Sequence, residues 1–306
     1  MLVNKFMVPC RVAGLILAVS VLIMSPTRLA VASEGPTSSE YGVVLNLSGK
    51  QRMLTQKMSK EILLIALAEE STANLANLKS TSDLFDKTLK GLRDGSVELG
   101  LPPTTNSGIL RQLDKIDAIW ADFYPVVKTI LESGSVSSEQ IAAVAKNNLP
   151  LLKQMNKAVG LYEKDAEKGG LKSAPGLAAT INLSGKQRML TQKMSKEFLL
   201  VAYGHDAEEN KLSLLETYTL FERTLKGLLD GDETLGLPGT KQQEIRDQLE
   251  VVNGLWSKFK PIVEYGADYK TTSIPKDKIS LLASGNLPLL KEMNKAVGMY
   301  EKEAAK

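Results

Sequence analysis

Asn46–Glu61 reads NLSGKQRMLTQKMSKE, and the same sixteen letters return at Asn182–Glu197. Gln, Met, Leu, Lys and Glu favour a helix, and no proline interrupts them. At about 100° per residue, Leu47, Leu54, Met58 and Ile65 fall on one line, a core stripe. The opposite side carries Gly49, Arg52, Gln56, Ser59 and Leu63, at the alternating spacing of three and four that marks a helix–helix seam. The second copy repeats it as Gly185, Arg188, Gln192, Ser195 and Leu199. Such a polar stripe reads either as a solvated outer face or as a buried seam. Identity between the copies brings the two readings level, because water-facing residues have little reason to stay unchanged while neighbouring segments drift.

The repetition extends outward from this stretch. Leu84, Leu101, Trp120 and Pro125 recur 136 residues on as Leu220, Leu237, Trp256 and Pro261. Asn148–Lys164 returns as Asn286–Lys302 with changes only at Gln154/Glu292 and Leu161/Met299, whereas Leu64–Asp83 and Leu200–Thr219 have diverged. Within the first copy the pattern predicts a helix over Tyr41–Glu70. A second covers Thr72–Asp94 and stops at a left-handed Gly95. A third starts near Asn106 or Ser107, with Leu113, Ile116, Trp120, Phe123, Val127 and Ile130 on its apolar line and a kink at Pro125. A fourth starts near Ser137, where Ser137 and Gln140 have capping-box spacing, and bends or restarts at Pro150.

The chain is therefore expected to be all-α, two tandem antiparallel four-helix bundles related by an internal repeat. Residues 1–32 read as a signal peptide, 33–167 as the first bundle, 168–176 as a linker and 177–306 as the second bundle. An even number of helices returns the chain to the end where it started. The bundles should then lie parallel about a pseudo-twofold axis, with the two first helices able to meet.

The leader assignment rests on Lys5 and Arg11 ahead of the apolar run Val12–Met24, followed by Ala30-Val31-Ala32 as a cleavage signal before Ser33. The run is shorter than the roughly 20 residues of a membrane span, so no stable span is expected after cleavage and the mature chain is placed in the periplasm or outside the cell; Arg28, unusual in a cleavage region, keeps an uncleaved anchor as the alternative. Of the 38 lysines and arginines, Lys5, Arg11 and Arg28 lie in this leader, which holds no acid; the rest balance the 35 acidic residues. A neutral mature chain gives no ground for nucleic-acid binding. The single cysteine, Cys10, also lies in the leader, which excludes disulfides, thiol catalysis and cysteine metal sites from the remainder.

If Arg52 and Arg188 face each other across the axis, they repel. Two unit charges about 6 Å apart at an effective dielectric near 20 cost roughly 3 kcal/mol. A planar anion between them would turn repulsion into attraction, since guanidinium presents paired donors to carboxylate-like or nitrate-like oxygens. The alternative is that Arg52 pairs with an acid on a neighbouring helix, such as Glu163 or Asp165.

The run Asn46-Leu47-Ser48-Gly49-Lys50-Gln51-Arg52-Met53-Leu54 resembles the first-helix motif of the periplasmic sensor domains of NarX-type nitrate/nitrite kinases and PilJ-type pilus chemotaxis transducers. Leu151–Val159, LLKQMNKAV, is similar to the PilJ version, and both runs recur in the second copy. The resemblance implies a four-helix bundle. It also implies an anion held between two first helices by one arginine from each, which match Arg52 and Arg188. The ligand-binding set on this reading is Arg52, Arg188, Gly49, Gly185, Gln56, Gln192, Ser59 and Ser195, and the small anion is nitrate or nitrite. Nitrate-sensing members carry a lysine shortly before the glycine, where this chain has Leu47. No kinase or methyl-accepting region follows the second bundle, so the expected output passes to a membrane receptor, pilus or chemosensory protein. The rival reading is an interaction or scaffold protein of such a system with a vestigial site.

No catalytic residue, metal site or cofactor is expected. The one histidine, His205, stands in a diverged stretch opposite Glu69, and no carboxylate pair repeats in a setting suited to acid–base work. Trp120, Trp256, Met53, Met58 and Met155 read as packing residues.

Overall fold

The computed structural model describes residues 35–169 and 176–304. The leader with its cleavage signal and most of the 168–176 linker lie outside the described residues. The helices are α1 Ser38–Ala66, α2 Ser71–Asp94, α3 Ser107–Ser133, α4 Ser138–Gly169, α5 Leu177–Tyr203, α6 Ala207–Asp230, α7 Gln243–Ala267 and α8 Lys276–Ala304. They form two tandem antiparallel bundles, α1–α4 and α5–α8.

Local chemistry sets the ends. Thr37 and Glu40 make a reciprocal capping box at the start of α1, and Asn106 Oδ1 accepts from Gly108 N at 2.9 Å to start α3. Ser137 and Gln140 exchange the bonds their spacing predicts. Helix α1 stops at Ala66, four residues short of Glu70, because Ala68 and Glu70 are left-handed (φ 53° and 43°) and turn the chain into α2. The second copy places Gly204 (φ 84°) at the position of Ala68. A left-handed conformation costs an L-residue roughly 1–2 kcal/mol, partly offset by the greater unfolded freedom of glycine. Ala68→Gly should therefore raise the free energy of urea unfolding by about 0.5–1 kcal/mol.

Gly95 ends α2 in a conformation other than the expected left-handed helical one. With φ 84° and ψ 158° it sends the chain into a corner. There Ser96 N donates to Leu101 O at 2.8 Å, and Leu101 N donates to Ser96 O at 2.9 Å. Only glycine reaches that backbone region readily. Helices α3 and α4 run through Pro125 and Pro150 without a restart. Both prolines are exposed, as are Ala121 and Lys146, whose carbonyls lose their helical donor, so water can satisfy them.

The core of each bundle is a stripe from every helix. Leu54, Met58, Leu78, Phe85, Leu113, Trp120, Phe123, Leu151 and Met155 represent it in the first half. One compensated exchange separates the halves. Ile62 and Ile130 are both fully buried, and their counterparts are Phe198 and Gly266. A Cβ built on Gly266 would lie 2.3 Å from Cδ2 of Phe198, so the ring fills the space of the missing side chain. Gly266→Ala should cost about 1–3 kcal/mol by overpacking. Adding Phe198→Ile should recover most of that, read as a double-mutant cycle in denaturant.

The first helices meet as expected. Helix α1 lies along α5 in parallel, and both are buried on nearly all sides because each has its own bundle on one face and the other helix on the opposite face. Near the start of α1, Ser38 Oγ donates to Ala304 O at 2.8 Å. Farther along, Lys60 and Gln192 both reach Asn286 of α8. The polar stripe is thus a seam and not a solvated face.

Candidate functional site

The seam is closest at its glycines. A Cβ on Gly49 would stand 4.0 Å from the Cα of Gly185, and one on Gly185 would stand 3.9 Å from the Cα of Gly49. Helical side chains lean toward the N-terminus, and Arg52 and Arg188 accordingly fold back over this pair. The same Cβ on Gly49 would be 3.3 Å from Nη2 of Arg52 and 3.6 Å from Nη2 of Arg188. Two guanidinium groups therefore share one small region between the halves.

Each arginine ties three helices together. Arg52 Nη2 donates across the seam to Asn182 O at 2.9 Å, and Nη1 donates to Asn156 Oδ1 of α4 at 3.4 Å. Arg188 mirrors this with Asn46 O at 2.9 Å and Asn294 Oδ1 of α8 at 2.8 Å. The side chains are 3% and 1% exposed. Their Nε–H groups are buried without a partner.

Among the described residues neither arginine makes an ion pair within 4.0 Å. Glu163 is half-buried and instead accepts from Asn182 Nδ2 at 2.6 Å; Glu301 likewise takes Asn46 Nδ2. Asp165 takes Asn106 Nδ2 at 2.8 Å. These acids help only through their field. Burial lowers the Arg52 pKa to about 10 against the pull of Glu163. Burial, and then repulsion by Arg52, lowers Arg188 to about 9. Lys50 and Lys186 are also pulled down, first by burial and then by the arginine of the opposite half. The site is a buried, cation-rich cluster of donors with spare capacity, the electrostatic setting that an anion relieves.

Gln56, Gln192, Ser59 and Ser195 occupy a different layer, toward the C-terminal ends of α1 and α5. All four are fully buried. Asn148 Nδ2 donates to Thr55 O at 2.9 Å and to Ser59 Oγ at 2.7 Å. Asn286 does the same to Thr191 O at 2.9 Å and Ser195 Oγ at 2.8 Å. Gln56 bonds Thr55 Oγ1, and Gln192 bonds both Thr191 Oγ1 and Asn286 Oδ1. The structure thus gathers Gly49, Gly185, Arg52 and Arg188 and leaves the glutamines and serines in a lower asparagine-bound layer. Asn156, Asn294 and the carbonyls of Asn46 and Asn182 complete the arginine layer without having been singled out from sequence. The signal that finds the asparagines is the near-identity of Asn148–Lys164 and Asn286–Lys302. His205 sits at the α5–α6 turn with Nε2 3.4 Å from Asp206.

The family model described as the N-terminal domain of type IV pili methyl-accepting chemotaxis transducers, PilJ, matches residues 37–146 and again 171–280. The chain belongs to the PilJ family. PilJ is a sensor-type domain of chemotaxis transducers and not an enzyme family. Both PilJ segments contain a first helix with its arginine. Both end before the asparagine of the lower layer, at Asn148 or Asn286. No curated protein matches the chain. Among the described residues no helix is long and apolar enough to cross a membrane.

Proposed function

We propose that this protein is an exported, non-enzymatic PilJ sensor module. It binds one small planar anion of the nitrate or nitrite type between Arg52 and Arg188 and signals through a chemosensory or pilus partner. The observation that carries the reading is the pair of buried guanidiniums on facing helices, without an ion-paired acid and with both Nε–H groups unpartnered. Within one chain the tandem repeat supplies both arginines, so the halves act as a covalent pair. A planar oxyanion accepts from two guanidiniums at once and converts their repulsion into a bridge. Gly49 and Gly185 admit it because neither adds a side chain at the closest approach.

Bound anion would draw α1 and α5 together through the arginines. Asn156 and Asn294 would carry that shift to α4 and α8, the helices bonded to the guanidiniums. Titration calorimetry on the chain from Ser33 is the test. Nitrate or nitrite should bind at one ion per chain, and Arg52→Gln/Arg188→Gln should bind none. Two ions per chain, or unchanged binding in the double variant, would contradict a shared site.

The scaffold reading has its own support on α4 and α8. Leu149 and Leu287 are 50% and 47% exposed, and Lys153 and Lys291 are exposed beside them. This face is repeated unchanged in both halves, which suits a partner that engages each bundle.

A further inference from the structure

The stretches in which the halves diverge build a cavity in the second half, between the start of α6 and the end of α7. Its volume is about 570 Å³, and its apolar wall is Leu212, Leu215, Tyr218, Ala267 and Tyr269. At the first four of these positions the first half has Ala76, Lys79, Ser82 and Leu131. Leucine and tyrosine thus replace small or charged residues on α6, and Ala267 leaves room where Leu131 would fill it. Leu212, Leu215 and Tyr269 are 59%, 43% and 76% exposed, so this wall stands open to water.

The same cavity is lined by Glu208, Lys211, Glu264 and Asp268. Lys211 is buried and donates to Glu208 Oε1 at 2.7 Å and to Tyr269 O at 3.5 Å. It neutralises Glu208 and ties down the loop that carries Tyr269. Glu264 and Asp268 remain. They stand four residues apart at the end of α7, where like charges repel and the carbonyl end of the helix disfavours further negative charge. The first half has the opposite charges Lys128 and Glu132 there. Lys260 comes no nearer to Glu264 than 3.8 Å and is bonded to Glu222 at 2.7 and 3.0 Å. The Asp268 carboxylate accepts from Lys270 N at 2.9 Å, and among the described residues it makes no ion pair within 4.0 Å. Burial and then the field of Glu264 raise the Tyr218 pKa, so ring and carboxylate share one wall. The Tyr269 ring already has the Lys270 ammonium 5.6 Å from its centre.

We propose that this cavity binds a small organic cation, an amine or quaternary ammonium carried on an aromatic or branched aliphatic body. The charged end lies against Glu264 and Asp268 and relieves their repulsion. The Tyr218 and Tyr269 rings add the attraction of a cation for an aromatic face. The apolar body covers Leu212 and Leu215 and removes their surface from water. A volume of about 570 Å³ suits a ligand of this size. A neutral molecule of the same shape lacks the charge attraction, and an anion meets the two acids directly. The site does not rest on the anion reading of the seam, since α6 and α7 carry neither arginine.

Calorimetric titration of the tandem protein with phenethylammonium, phenethyl alcohol and phenylacetate separates charge from body. The ammonium should bind saturably at one per chain, the alcohol about tenfold or more weakly, and the carboxylate not at all. Leu215→Lys/Glu264→Lys gives both positions the residue type that the first half carries at Lys79 and Lys128, and it should abolish ammonium binding. Arg52→Gln/Arg188→Gln should leave that binding unchanged. Should the lysine variant not fold, Asp268→Asn/Tyr269→Ser, both at exposed positions, should weaken the ammonium by about tenfold. Equal binding of alcohol and ammonium would make the wall an apolar contact for a protein partner and overturn the cation site. So would binding that survives the cavity variants, binding lost with the arginines, or no saturable binding of the ammonium.

Discussion

Arg52→Met/Arg188→Met should be as stable as the parent or more stable in anion-free buffer, by up to about 4 kcal/mol, and should no longer respond to nitrate. The first expectation follows from the cost of two buried like charges. Replacing buried ionic groups with apolar ones of similar volume is often neutral or stabilising by 1–4 kcal/mol. Here the pair is repulsive, and each guanidinium is compensated only by carbonyl and amide oxygens and by the field of a half-buried acid. Methionine keeps an unbranched chain over the glycines and withdraws the charge. The second expectation follows from mass action. Nitrate at about 100 times its dissociation constant adds roughly 2.7 kcal/mol to the parent, and that increment should vanish when the donors are gone. Chemical unfolding with and without nitrate measures both. A double variant that is several kcal/mol less stable and still gains from nitrate would mean that the arginines are structural cross-links and that the ion binds elsewhere.

Lys60→Met/Lys196→Met should remove a pronounced pH dependence. Each lysine falls from 10.5 to about 8 on folding because of burial, so between those values the unfolded chain binds more protons than the folded one. Stability therefore rises with pH across the window from about 8 to 10.5 and is lowest below it. A depression of that size corresponds to on the order of 3 kcal/mol per lysine. The parent should gain several kcal/mol between pH 7 and pH 10.5 relative to the variant. At pH 7 the variant should be the more stable of the two. Subtracting the two profiles cancels tyrosines and arginines that titrate in the same range. Parallel profiles would show that the lysines reach water in the folded protein.

The sequence carried the architecture well because two independent periodicities agreed. The apolar lines of α1–α4 repeat in α5–α8, and Trp120, Phe123 and Val127 sit in the core where their spacing puts them. The ends were less legible. The early stop of α1 depends on left-handed conformations at Ala68 and Glu70, residues that ordinarily continue a helix. The unbroken course through Pro125 and Pro150 depends on which side of each helix faces water, a tertiary fact. The exchange of Ile130 for Gly266 has no explanation in the sequence alone, because only the packing shows the Phe198 ring filling that place.

At the seam, letter-for-letter repetition marked Arg52 and Gly49 but could not decide between an acidic partner and a facing arginine. That depended on how α1 and α5 cross and on Glu163 being bound to Asn182. The burial of Lys60 and Lys196 was not legible in the sequence, because a lysine on a helix usually reaches solvent. Here the neighbouring half covers them. Gln56 and Ser59 share a helical face with Arg52 yet belong to another layer, since side-chain reach along the axis separates what a helical wheel superimposes.

A double-mutant cycle measures directly whether Arg52 and Arg188 are coupled through one anion. The parent, Arg52→Met, Arg188→Met and the double variant are unfolded in denaturant without nitrate and at saturating nitrate. The coupling should be repulsive, about 1–3 kcal/mol, without the ion, and should change sign to attractive when nitrate is present. A coupling that is the same in both conditions would contradict an anion shared by the two arginines.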